Sequence, residues 1–186
     1  MASKVQICNL ALSKIGASNI IALDNETKEG RQCSYLFDLM RDAVLTSYPW
    51  NFALKRAELA QLSEVPDFEF YYQYQLPSDC LRVVDIYDSG SDYVIEGDRL
   101  LTDDDEVNIK YIARIADTTL YHPNFIEAFS LRLAADLAVA IANDKSLKAT
   151  LLQEYRLAVF EAYKLNAIEG KPDEEKEQTS WQQAGR

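Results

Sequence analysis

Residues that carry chemistry are scarce in this chain. Its 186 residues include one histidine, His122, and three cysteines. It lacks a phosphate-cradling glycine loop, the Cys and His spacing of a metal site, and a nucleophile-elbow sequence around any serine. Cations are outnumbered, with 19 Lys and Arg against 30 Asp and Glu and a net charge of −11. That is the wrong sign for a protein that grips nucleic acid by its phosphates. An acidic chain can still sit beside DNA without holding it. The odd cysteine count argues against a disulfide framework, and Cys8 and Cys33 fall on core-facing positions of predicted helices, as small buried hydrophobes in a reducing compartment. No run is long and apolar enough to span a bilayer, because the greasiest stretch, 131–142, is broken by Arg132 and Asp136. The N-terminus lacks the basic-then-apolar build of a signal peptide. A soluble intracellular product is therefore expected, one that works through its surfaces and not as an enzyme, with no catalytic residue, cofactor, metal or membrane partner assigned.

What is present is a sequence of periods. Ser3 caps a helix predicted over 3–16, where Val5, Cys8, Leu12 and Ile15 recur at helical spacing and Gly16 suits the left-handed terminator. Thr27 caps a second, over 27–47, with Cys33, Leu36, Met40 and Val44 on its inner face, ended by Pro49. From Trp50 the alternation of Trp50, Phe52 and Leu54 has strand period, although 57–62 also fits a helix. Five β-rich runs follow at 70–76, 81–87, 93–96, 99–102 and 107–115, with a hairpin signal at Glu96-Gly97-Asp98-Arg99. Pro123 opens a third helix over 123–143, in which Phe125, Phe129, Leu133, Leu137 and Ile141 step by four, and a fourth runs over 146–169. We expect an α+β fold: a four-helix bundle formed by the N- and C-terminal helix pairs, with a small antiparallel β-sheet inserted at about 50–115. One domain spans 1–170. A polar tail, 171–186, is too poor in apolar residues to fold alone but carries Trp181, either a surface aromatic or a docking anchor.

Three ordered segments read together: Ile7-Cys8-Asn9-Leu10-Ala11-Leu12 with Ile15-Gly16; Ser47-Tyr48-Pro49-Trp50-Asn51-Phe52-Ala53 followed by Arg56; and Tyr74-Gln75-Leu76-Pro77-Ser78-Asp79-Cys80-Leu81-Arg82-Val83. With Tyr111-Ile112-Ala113-Arg114 ahead of the third helix, they resemble the tail tubular protein A family of tailed bacteriophages, over roughly residues 5–170. The resemblance implies a structural virion protein at the head–tail interface, assembled in the host cytoplasm. It implies a head-to-tail adaptor forming a dodecameric ring below the portal protein, with a nozzle (tubular protein B-like) beneath and a channel through which DNA passes without specific binding. It supplies no catalytic residues.

Two groups of side chains are candidates for the surfaces such a role needs. Trp50, Phe52, Tyr71, Tyr72, Tyr74 and Trp181 are candidate interface residues, with Tyr72 and Tyr74 expected on one face of a strand and Tyr71 on the other. Residues 87–106 hold eight acidic side chains against Arg99 alone. Within them Asp98, Asp103, Asp104, Asp105 and Glu106 are the candidate acidic rim or lumen, repelling phosphate so that DNA slides past. The plainer account of the same charges is soluble loops and protected sheet edges. Alternative readings are a small metal-dependent enzyme using the 103–106 run, and an acidic adaptor that binds a host protein. Ser3, Ser34 and Ser130 read as structural, as does His122, a residue before proline at a helix start.

Overall fold

The computed structural model describes residues 2–24, 26–87 and 90–169. They form four helices and two small three-stranded antiparallel sheets, a mixed α/β fold. Helix α1 (Lys4–Lys14) starts in a capping box, in which the Ser3 hydroxyl accepts from the Gln6 amide and the Gln6 side chain accepts from the Ser3 amide. It ends as its glycine requires. Gly16 has φ +69, its amide donates to the Ser13 carbonyl, and the Ala17 amide donates to the Leu12 carbonyl. Asn9 then ties down the following loop by exchanging both its amide groups with the backbone of Ile20. Thr27 caps α2 (Lys28–Ser47), its hydroxyl accepting from the Gly30 amide.

Beyond Pro49 the expected strand is delayed. Asn51–Ala53 close a 3-10 turn, through Ala53 N to Trp50 O, and β1 begins only at Leu54 (Leu54–Glu58). The cause is local: the Trp50 indole N–H donates to the carbonyl of Val44 at 2.9 Å, which folds the chain back onto the end of α2. Residues 57–62 do not form a helix. They finish β1 and continue extended to a bridge between Gln61 and Tyr74.

The five remaining β runs become β2 (Tyr72–Gln75), β3 (Cys80–Tyr87), β4 (Tyr93–Glu96), β5 (Arg99–Thr102) and β6 (Asn108–Ala113). They build two sheets where one was expected, ordered β1-β6-β3 and β2-β5-β4. Two corners divide them. At Leu76-Pro77 the proline withholds a donor and the Cys80 amide closes a turn onto the Pro77 carbonyl, so that β3 leaves the sheet of β2. The acidic turn 103–107 makes the same transfer from β5 to β6.

Helix α3 (Pro123–Ala140) is the hub. Ten of its residues are buried, including Phe125, Phe129, Leu133 and Leu137, and α1, α2 and α4 (Lys145–Glu169) all pack on it. Helices from both ends of the sequence thus meet on one element. Ala128, Ala134, Ala135 and Ala138 present no side chain beyond a methyl group, which lets neighbours approach closely. The core continues from this hub through Trp50, Phe52, Tyr121 and Phe125, whose rings meet edge-on or tilted at 4.7 to 6.4 Å, to Tyr111 and Ile109 of β6.

Candidate functional site

The aromatic candidates do not form one surface. Trp50 is 2% exposed and Tyr74 1%, so these two, expected at an interface, belong to the chain's own core. Each is held there by its polar tip, Trp50 on the Val44 carbonyl and Tyr74 through its hydroxyl on the Asp104 carbonyl at 2.8 Å. Phe52 and Tyr72 are half-buried against that core. Tyr71 alone of the described candidates stands clear, at 72% exposed, in the bend before β2 and not in the strand, where Gln73, expected on its side, is buried. Trp181 lies outside the described residues.

Beside Tyr71 is a feature the sequence analysis passed over. Residues 62–71 lie across one face of the β2-β5-β4 sheet, pinned by Gln73, which is buried because its side-chain amide donates to the Glu64 carbonyl at 2.8 Å. Arg99 completes the clamp, donating to Gln73 Oε1 and pairing with Glu64. Its visible trace was a polar residue inside an aromatic strand. The loop presents Val65 and Phe68 to solvent.

The candidate acidic residues fall in two places, at opposite ends of β5. Asp98 is in the β4–β5 hairpin turn beside Gly97 (φ +63), where its carboxylate and carbonyl both accept from the Gln75 side chain. Asp103–Glu106 form the sheet-changing turn at the other end, on the order of 15 Å away by strand rise. Within that turn Asp103 accepts from the Tyr71 amide and Asp104 from the Ser91 hydroxyl, so neighbouring carboxylates are drawn to different partners. Among the described residues no group of three His, Cys, Asp or Glu side chains could hold a metal ion.

Other charges act inside the fold. The Asp79 carboxylate accepts from Lys55 at 2.7 Å and from the Tyr111 hydroxyl at 3.1 Å, and the Lys55 bond leads the causes that hold its pKa below the ordinary carboxylate value. Asp42 bridges Arg41 of its own helix and Arg114 after β6, joining α2 to the β1-β6-β3 sheet. His122 stacks its ring on Phe52 at 5.2 Å and is exposed. A surface hollow of about 530 Å³ between α1 and α3 is lined by Gln6, Leu10, Tyr121, Ile126 and Glu127, and a second, beside residues 64–70, brings Glu64, Asp67, Glu69 and Glu96 together with Arg99.

The sheet edges are treated unequally. The outer side of β2 is covered by residues 60–62, through Leu62 N to Gln73 O and Gln75 N to Ala60 O. The outer strand β3 has two register shifts and lies against α2, devices that discourage further pairing. Strands β4 and β1 have a partner on one side only and carry neither device. Strand β4 is exposed along its whole length, with Tyr93 46%, Val94 39% and Ile95 43% exposed.

No family model matches this chain, and no curated protein matches it in sequence.

Proposed function

We propose that the chain is a structural subunit of a tailed-bacteriophage virion, a head-to-tail adaptor that assembles side by side into a ring between the portal and the tail nozzle. DNA passes through the ring without being specifically bound. In this reading the four helices act as a four-helix bundle centred on α3, and the β region projects from it toward neighbouring subunits.

The observation that carries the reading is where the family-like segments fall. Ile7–Leu12 supplies the buried face of α1, Ser47–Ala53 is the joint between α2 and β1, Leu76-Pro77 is the corner between the sheets, and Tyr111–Arg114 leads from β6 toward α3. The first belongs to the helical core, and the other three lie at junctions that set the relation of helices and sheets, which is what a shared scaffold needs. The separated acidic turns and exposed β4 also suit a subunit that works by contacts. Electron microscopy of the chain mixed with the portal protein of the virus that encodes it tests the proposal. Ring density added below the portal is the expected result, and a portal that gains none overturns it.

A further inference from the structure

The two plain sheet edges carry opposite charge. On β4 and its flanks stand Asp92, Glu96 and Asp98, all exposed, with no cation in the strand. On β1 stand Arg56 and Lys55, the latter paired with Asp79, and Lys110 of β6 lies between Arg56 and Asp85 of β3 on one face, with Arg82 of β3 one pair along. Glu58 is the one anion of β1. Among the described residues Arg56, Arg82 and Lys110 take part in none of the ion pairs, whereas Lys55, Arg99 and Arg114 do.

We propose that the β4 edge of one copy of this chain adds to the β1 edge of a second copy, in a head-to-tail contact that continues one sheet into the next. The contact rests on the ring reading above, and it supplies the two different faces that a ring requires. An antiparallel edge strand directs alternate amides and carbonyls outward, and among the described residues no strand takes up those of β4 or β1. On β4 the outward backbone groups are those of Tyr93 and Ile95 and on β1 those of Leu54, Arg56 and Glu58, so an antiparallel register that sets Ile95 opposite Arg56 also sets Glu96 opposite Lys55 and Val94 opposite Ala57, one charge pair and one apolar pair on the same face. Pairing β4 with another β4 is opposed, because it brings two acidic hairpins together. The side chains of β4 stand exposed on both faces of the sheet, as an interior strand of a larger sheet would show when its neighbour is removed.

Crosslinking tests the contact. In a Cys80→Ser background, with Cys8 and Cys33 buried, one population carries Val94→Cys and another Ala57→Cys, and a short bis-maleimide is applied to each and to their mixture, with and without the portal. Covalent dimer in the mixture and none in either population alone is expected. Glu96→Lys on the Val94→Cys chain should abolish it, and Lys55→Glu on the Ala57→Cys chain should restore it. Dimer from Val94→Cys alone, or no adduct in any mixture, overturns the inference. The adaptor reading fails separately. A portal-bound ring without adduct discards this contact and keeps that reading, and adduct with a portal that gains no ring does the reverse.

Discussion

The Trp50 indole N–H reaches back six residues to donate to the carbonyl of Val44, at 2.9 Å. One side chain thereby caps the end of α2, turns the chain toward β1 and fills the aromatic core beside Phe125. Trp50→Phe keeps much of the packing and leaves the Val44 carbonyl to the Ser47 hydroxyl, which also donates to it at 2.8 Å, a loss of about 0.5 to 1.5 kcal/mol. Trp50→Ala adds a cavity and should cost about 3 to 5 kcal/mol. Urea denaturation of the three proteins should show that order with the midpoint of Trp50→Phe nearer the parent.

Asp42 and Arg114 should behave asymmetrically although they share one ion pair of 2.8 Å. The Arg41 side chain is 6% exposed and depends on Asp42 and Asp38 for its counter-charge. Asp42→Ala leaves that guanidinium under-compensated in the interior and should cost about 2 to 4 kcal/mol. Arg114 is 46% exposed on its side chain, so Arg114→Ala should cost no more than about 1 kcal/mol. Equal losses by chemical denaturation would mean that Arg41 does not rely on Asp42.

The Gln73 clamp makes a prediction about local opening instead of global stability. Gln73→Ala removes the donor to the Glu64 carbonyl and the acceptor that orients Arg99 toward Glu64, two of the bonds that hold residues 62–71 across the sheet. Limited proteolysis near Val65 and Phe68 should quicken while the melting temperature moves little, because this segment adds few apolar side chains to the core. Unchanged cleavage would show that the Arg99–Glu64 pair and the Asp103 bond to the Tyr71 amide hold the loop without Gln73.

Legibility in the sequence followed the range of the interaction. Helix starts at Ser3, Thr27 and Pro123, the Gly16 terminator and the Gly97 hairpin are settled by neighbours within a turn, and all were readable from residue type. The β4 and β5 boundaries were readable for the same reason. The split into two sheets was not, because it depends on which distant strands share a ladder, as β2 with β5 and β3 with β6. Trp50 and Tyr74 misled as interface residues because an aromatic with a polar tip suits a surface or a core equally well until its acceptor is known. Here the acceptors are the Val44 and Asp104 carbonyls, one of them thirty residues away.

Two buried tyrosines set the alkaline limit of the fold. Tyr111 and Tyr121 each have the pKa raised from 10.0 to about 12, first by burial, and for Tyr111 next by the hydrogen bond to Asp79. The folded state thus favours the protonated phenol more than the unfolded chain does. That stabilisation is complete below the unfolded pKa and is lost as pH rises from 10 toward 12, because the unfolded chain releases these protons first. Ionisation would also end the donation of the Tyr121 hydroxyl to the Ile115 carbonyl and set a phenolate against the Asp79 carboxylate. Stability against urea should fall by about 1.4 kcal/mol per pH unit for each tyrosine across that window. Tyr111→Phe and Tyr121→Phe should each remove about one proton's worth of the slope, while an unchanged slope in both would place the alkaline transition elsewhere in the molecule.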